Sequence, residues 1–495
     1  MYLLTAIIFV SIIICLCLYI KKRNSYWKNL GVPYAEPTLL FGNLLALLQI
    51  KSSAFWFRNL YESTNHLFYG FFFTLNTPAL LIRDPELIKQ MFVKNSDFFA
   101  HRLGGQNCNH DKMGVNSMFF MKSPTWKIVR KALVPFFSPY KLANLSTIVF
   151  KTGDNLVAYI ESEMTTKPSI DVPMMASMYT SDIIGTGLFG LSAESLTHKN
   201  TRYYVLSEML AKESLATLIE RFCFGVFPRV AQFLKMRFFD KTSTQILKRI
   251  LVNTMEQRKS STYVRGDFLD LLNSVERRHG EILKHDELVA QAFQMHFAAH
   301  TSTNTIILAL HEICLHPHVQ ARLRQEITQV LSKHEVLSLR VLYDMVYLDM
   351  VVSETLRKHP IAPILERVCT KSYTIPDTNI VIKKGLPCFV SVYGLHHNSE
   401  FFPNPEKFDP ERFSPENRPN IVSGSYLPFG IGPRNCIATR LGLLTVKVAL
   451  MKIIHNFEIE LGATEDREIG YDPLCLFIGP NKNSSIMKFK PVRRG

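Results

Sequence analysis

Phe429-Gly430-Ile431-Gly432-Pro433-Arg434-Asn435-Cys436-Ile437-Ala438 runs directly into an apolar helical stretch. Two glycines and a proline make a tight loop, which presents one sulfur at an expected helix N-terminus. Free backbone N–H groups and the helix dipole there favour a thiolate over a thiol. Such a sulfur can be a nucleophile, a redox thiol or a metal ligand; the plainer reading is a buried structural cysteine. Gly-x-Gly also opens nucleotide-binding loops, but no Gly-Lys-Ser/Thr and no third glycine follows here.

The chain has 495 residues, enough by length for two or three domains. Hydrophobic residues make up 47% and charged ones 20%, the composition of a globular protein. A net charge of +15 suits either a plain basic surface or attraction to an acidic partner or anionic lipid. The basic residues are dispersed and no basic block is interleaved with aromatics, which argues against nucleic acid as a partner. The cysteine count, nine, is odd, and no Cys-x-x-Cys pair occurs. This argues against a disulfide framework or a zinc module and for a reducing compartment.

Residues Met1 to Ile20 carry no charge, and Lys21, Lys22 and Arg23 follow. A run of about 19 apolar residues is long enough to span a bilayer. No small-x-small cleavage site follows, so an uncleaved signal-anchor fits better than a cleaved signal. The basic cluster would place the remainder on the cytosolic side. Gly31-Val32-Pro33 and Glu36-Pro37 read as a stiffened linker. His66 to Asp84, interrupted by Asn76-Thr77-Pro78, reads as a β-hairpin, and Pro85 opens a helix. From about 124 to 360 the period is helical nearly throughout. Asp286 to His316 is the longest such stretch, roughly 45 Å, and should cross the core. Short β-like runs then appear at Asn379–Ile382 and Cys388–Val392. One large, mainly α domain with a small β part is the expected fold.

Other motifs bear on the cysteine. Glu354-Thr355-Leu356-Arg357 puts a carboxylate and a guanidinium on one helical face. Phe408-Asp409-Pro410-Glu411-Arg412-Phe413 lies downstream. In Trp126-Lys127-Ile128-Val129-Arg130, tryptophan and arginine share a face. Together with Phe-Gly-x-Gly-x-Arg-x-Cys, these resemble, in order, the motifs of the cytochromes P-450, and they look like the insect microsomal branch. The resemblance implies the cytochrome P-450 fold, with a long central helix over haem, a cysteine-ligand loop and an N-terminal transmembrane helix. It implies haem b as cofactor, with Cys436 as the axial iron ligand. Arg434, Arg367, Trp126 and Arg130 would face the haem propionates, and Phe429 would lie in the haem loop. Glu354, Arg357 and Arg412 would form a buried structural cluster. The implied domains are a transmembrane signal-anchor at 1–20, a basic linker at 21–43 and the catalytic domain at 44–495.

The long helix departs from the family pattern. Where the family carries Ala/Gly-Gly-x-Asp/Glu-Thr, this chain reads Phe297-Ala298-Ala299-His300-Thr301, a register fixed by His311-Glu312-Ile313 and His316-Pro317. Thr301 takes the threonine place and His300 the acid place. Histidine can relay a proton near neutral pH. Ala298 makes helix opening harder. Phe297 either hangs over the iron or turns into the helix packing. His296 and His300 are four apart, but the glutamate of a zinc-protease helix is missing.

The resemblance implies a monooxygenase that inserts one oxygen atom of dioxygen into a lipophilic small molecule. Its electrons would come from NADPH through cytochrome P-450 reductase, at the cytosolic face of the endoplasmic reticulum membrane. Lys122, Lys127, Lys131 and Arg440 are candidates for a basic reductase face. His101 to Gly105 and Phe222 to Gly225 would make a lipophilic pocket wall. Two rivals arise from the altered 297–300 stretch: a haem-thiolate isomerase or dehydratase, and a haem-binding protein impaired in turnover.

Overall fold

The computed structural model describes the chain apart from residues 1, 39–40, 44–51, 74–75, 106–107, 200, 213, 263, 282, 463–468, 474–476, 482–485 and 493–495. Helix α1 (Tyr2–Asn24) ends on Lys21, Lys22 and Arg23, cations that suit its C-terminal partial charge. Among the described residues no helix is long and apolar enough to cross a membrane. The transmembrane helix expected over 1–20 is therefore not found as a span. Tyr2–Ile20 is helical and uncharged, and Lys21, Lys22, Arg23 and Asn24 form the last turn of α1.

The chain divides into two compact units. The first comprises Met1–Leu103, Ala362–Pro403 and Val422–Asn435; the second comprises Gly104–Ile361, Asn404–Ile421 and Cys436–Gly495. The domain boundary expected at residue 44 lies outside the described residues.

The first unit is built on a four-stranded sheet of β1 (Phe68–Phe72), β2 (Pro78–Ile82), β3 (Ile364–Val368) and β4 (Pro387–Ser391), in the order β1-β2-β4-β3. The expected hairpin forms: β1 and β2 are antiparallel, with Phe68 opposite Ile82. β2 runs parallel to β4, with Leu80 opposite Cys388, and β3 is antiparallel to β4, with Arg367 opposite Cys388. β4 is buried along its whole length, as its run of apolar residues requires. Pro85 starts a short helix, and Asp84 caps it by accepting from Leu87 N. The described part of the 21–43 stretch is tied to this sheet. Trp27 Nε1 donates to Phe71 O (3.0 Å), and Ala35 N donates to Gly70 O (2.9 Å).

The second unit is helical. Its elements include α2 (Thr125–Leu133), α3 (Pro139–Met164), α4 (Arg202–Ala211), α5 (Leu215–Val226), α6 (His285–Leu315), α7 (Val346–Lys358) and α8 (Thr439–Asn456). At 31 residues, α6 is the long central helix read from the sequence. It packs on the Val172–Asp182 helix and on α8. Thr180 and Thr303 hydroxyls meet at 2.7 Å, and Tyr179 OH donates to Thr445 O at 3.0 Å. A small sheet of Ile170–Asp171, Ile486–Pro491 and Phe457–Leu461 completes the unit.

Candidate functional site

The cysteine loop owes its shape to its glycines. Gly430 and Gly432 both have φ of 74°. A Cβ on Gly432 would lie 2.0 Å from Phe92 O, so no other residue fits there. Leu427 N donates to His396 Nε2 (2.8 Å), and Gly430 N donates to Leu427 O (3.0 Å). Cys436 has an exposed thiol. It stands two residues before Ala438, the N-cap of α8, so it precedes the helix rather than capping it. Thr439 Oγ1 donates to Cys436 O at 3.1 Å. Phe429 is half-buried in the loop.

Three guanidinium groups gather in the first unit. Arg434 is 7% exposed, and its Nε donates to Ala100 O (2.9 Å). Arg102 pairs with the Glu366 carboxylate (3.0 Å) and donates to Arg434 O (3.4 Å). Arg367, on β3, is 2% exposed. Its Nη1 donates to Glu366 O (2.7 Å), and its guanidinium lies over the Phe92 ring at 5.3 Å. Its Nη2 is buried and has no hydrogen-bond partner among the described residues. Burial lowers the Arg367 pKa to about 9. The like charges of Arg102 and Arg434 add to this, and Glu366 opposes it. One carboxylate among three guanidiniums leaves a site that favours further negative charge.

The remaining candidates belong to the second unit. On α2, Trp126 is buried and Arg130, one turn later on the same face, is half-buried. The expected carboxylate–guanidinium cluster forms. Glu354 and Arg357 side chains are both 0% exposed, with Arg357 Nε and Nη2 at 2.7 and 2.9 Å from the two Glu354 oxygens. Arg412 Nε is 3.4 Å from Glu354 Oε1, and Asp409 N donates to the same oxygen (2.9 Å). The pairing and extra backbone donors offset the desolvation of the buried charges.

The central helix is uninterrupted through the altered stretch. Thr301 Oγ1 donates to Ala298 O (2.7 Å), and Thr305 Oγ1 donates to Thr301 O (2.8 Å). Phe297 is half-buried among aromatic rings. Its ring meets Phe239 at 5.1 Å and Phe238 at 5.9 Å, and the Arg221 guanidinium lies over it at 5.4 Å. His296 is buried, with Nδ1 at 2.8 Å from Tyr203 OH, and burial lowers its pKa to about 3. His300 is half-buried. Its pKa is lowered by burial first; Glu208 and the Ser207 carbonyl act against this, while Arg221 adds to it. Among the described residues no group of three His, Cys, Asp or Glu could hold a metal ion.

A family model described as cytochrome P-450 matches residues 32–486. The chain belongs to the cytochrome P-450 family. Cytochrome P-450 6j1 of Blattella germanica is 35% identical over 458 residues, covering 91% of each chain. Cytochrome P-450 6k1 of the same insect is 33% identical, covering 92% of this chain and 91% of that one. Probable cytochrome P-450 6a14 of Drosophila melanogaster is 31% identical, covering 90% and 91%. This P-450 is thus of the insect type and is a monooxygenase, with haem b held through a cysteine thiolate on iron. The family also implies a redox partner and a small-molecule substrate.

The donor set fits that cofactor. Haem b carries two propionates, and the orphaned Arg367 Nη2 together with the excess guanidinium charge of Arg102 and Arg434 calls for anionic oxygens. Arg102 was read in the sequence only as part of a lipophilic wall. Its partnership with Glu366 spans 264 residues, and no local pattern signals it.

Proposed function

We propose that this P-450 oxygenates a lipophilic small molecule at the cytosolic face of the endoplasmic reticulum, on electrons drawn from NADPH through cytochrome P-450 reductase. Haem b, when bound, supplies reductive activation of dioxygen, delivering one oxygen atom to the substrate and the other to water. Cys436 would ligate the haem iron. Arg367, Arg434 and Arg102 would hold the propionates, a role the family resemblance extends to Trp126 and Arg130 on α2, and Phe429 would stand in the ligand loop. Thr301 is the distal hydrogen-bond donor and His300 the proton relay.

The observation that carries the lipophilic reading is an aromatic cluster. Phe120 meets Phe224 at 5.1 Å and Phe238 at 4.9 Å, and Phe238 meets Phe297 on the central helix. The two stretches expected to line the pocket come together in it: Gly105 N donates to Phe224 O at 3.4 Å. Apolar walls of this kind recover transfer free energy from a greasy ligand and offer it few hydrogen bonds.

Membrane attachment is supported by the uncharged run of 1–20 with its basic flank. The exposure of Ile7, Ile8, Phe9, Val10, Ile14 and Leu18 on α1 also supports it. Residues 21–43 serve as the connection and 44–495 as the catalytic domain. A reductase face is supported by exposed Lys127, Lys131 and Arg440, whereas Lys122 is half-buried, with its pKa lowered by burial.

Difference spectra against a lipophilic ligand library, followed by NADPH- and reductase-dependent turnover, test the proposal. Spectral binding and hydroxylated product are expected. NADPH consumption without product across the library overturns it. The uninterrupted helix at Thr301 favours one rival, a haem-thiolate isomerase or dehydratase that needs no proton relay. Hydroperoxide rearrangement without reductase would establish that rival.

A further inference from the structure

On the helix that follows the cysteine loop, Arg440, Leu443, Leu444 and Lys447 recur at the i, i+3, i+4, i+7 spacing of one face of α8. All four line a pocket of about 380 Å³ that lies within the second unit. Its other walls come from the Leu339–Tyr343 helix and the first turn of α7. Leu339, Leu342 and Tyr343 line it from the first, Val346 and Asp349 from the second, and Arg418 completes the lining. Tyr343 is 59% exposed and Val346 45%, so apolar surface here is left open to water.

The charges of the lining do not balance. Asp349 is its one carboxylate. Lys447 Nζ meets one of its oxygens at 2.7 Å, and Arg418 Nη1 meets the other at 2.9 Å. Burial pushes the Asp349 pKa up, but Lys447 and then Arg418 outweigh burial and hold it below the usual carboxylate range. Asp349 is therefore spoken for on both oxygens and stays ionised near neutral pH. Lys447 is buried, whereas Arg440, two turns earlier on the same face, is exposed and forms no ion pair among the described residues. Three cations around one carboxylate leave an excess of positive charge beside apolar walls.

We propose that this pocket binds a single-chain amphiphile with an anionic head, a fatty carboxylate or an alkyl phosphate. The chain covers Leu339, Leu342, Val346, Leu443 and Leu444, and the head meets the Arg440 guanidinium. A bare inorganic anion would leave the apolar walls in water. A neutral lipophile would leave the excess charge unmet. An amphiphile answers both. The volume is that of a small-molecule site rather than of a surface covered by a docked protein. The pocket shares no residue with the aromatic cluster proposed for the substrate, and its walls need no haem.

The test is amide hydrogen exchange, read by mass spectrometry on the full chain in phosphatidylcholine vesicles titrated with decanoate. Exchange is expected to slow in the 339–349 and 440–447 segments, because a five-residue helix beside open apolar surface opens readily until it is covered. Butyrate has the charge without the chain and decanol the chain without the charge. Each should protect only at about 10-fold higher concentration or above. Arg440→Glu and Val346→Glu should each move the decanoate midpoint up about 10- to 100-fold, the scale of one charge-assisted hydrogen bond. Arg440→Lys keeps most of the binding. Lys151→Glu, an equal change of charge at an exposed site on α3 outside the pocket, leaves the midpoint in place. Oleate carried in the vesicle bilayer is a second arm. Protection by dissolved decanoate names a soluble source, protection by bilayer oleate alone names a membrane lipid, and either is lost in Arg440→Glu. A midpoint that is the same in wild type, Arg440→Glu and Val346→Glu overturns the assignment, as does decanol binding as tightly as decanoate. The Soret spin state of the same samples reports any fatty acid over the haem, so binding there is told apart from binding on α8.

Discussion

Thr301 donates its hydroxyl hydrogen to the carbonyl of Ala298 at 2.7 Å, one turn back on the central helix. Glycine at 298 would loosen that turn at a cost of about 1 kcal/mol. Alanine keeps it wound, and the Thr301 hydroxyl closes it further. Ala298→Gly is expected to lower the melting temperature slightly and to reduce the peroxide released per NADPH, because a looser turn frees Thr301 to face dioxygen. Thr301→Val, nearly isosteric but without the donor, should raise peroxide release while keeping the carbon monoxide spectrum. Peroxide assays on both variants decide the point; unchanged leakage in both removes Thr301 from the distal chemistry.

Arg367 and Arg434 predict a difference between apoprotein and holoprotein. Arg367 is buried, incompletely hydrogen-bonded and flanked by like charge. Its pKa of about 9 lies below the usual arginine value, so near neutral pH its charge weakens the apoprotein, and this penalty fades only as pH rises through 9. Arg367→Met should therefore leave apoprotein stability unchanged or raised. Haem retention should weaken by about 2–5 kcal/mol, the scale for truncating one side of a buried charge pair. Calorimetry of the apoprotein and the rate of haem transfer to apomyoglobin measure the two halves separately. An apoprotein that loses several kcal/mol would show Arg367 to be structural instead.

The legible features were those written in local periodicity or in contiguous motifs. The 68–82 hairpin, the 31-residue α6 and the Glu354–Arg357 pair are of this kind, each set by residues within one or two turns of one another. What escaped depends on chain separation or side-chain rotation. Arg102 finds Glu366 across 264 residues, and Tyr203 finds His296 across 93. Phe297 meets the rings of Phe238 and Phe239, residues far from it along the chain, and its own helix does not signal that contact. The division into two units escaped as well. The chain re-enters the first unit at Ala362, where helical period gives way to short β-like runs, and again at Val422.

The two loop glycines should respond differently to the same substitution. At Gly430 an added Cβ would meet Leu365 Cδ2 at 3.5 Å, ordinary contact, so Gly430→Ala carries only left-handed backbone strain of about 1–2 kcal/mol. At Gly432 the Cβ would strike the Phe92 carbonyl at 2.0 Å, and the backbone has to move. Gly432→Ala is expected to displace the loop and lose most of the ~450 nm carbon monoxide band, whereas Gly430→Ala keeps it with a modestly lower melting temperature. Equal behaviour of the two variants would mean that the Phe92 contact does not set the loop.

Glu312 gives a pH signature away from the haem. Its carboxylate is buried, with His359 Nε2 at 2.7 Å and Lys358 Nζ at 2.9 Å, and His359 Nδ1 meets Tyr471 OH at 2.6 Å. Burial pushes its pKa up, but the His359 and Lys358 partners outweigh burial and hold it down at about 2. A carboxyl with a depressed folded-state pKa stabilises the fold above its usual value of 4.5, and the stabilisation is lost as pH falls from there through 2. Glu312→Gln should cost about 3–5 kcal/mol at pH 7, the scale for removing one partner of a buried ion pair. It should also flatten the acid limb of the stability curve between those two pH values. Urea unfolding from pH 7 down to the acid limit reads both effects. A parallel acid limb in the variant would show that Glu312 is not the group whose protonation unfolds this end of the central helix.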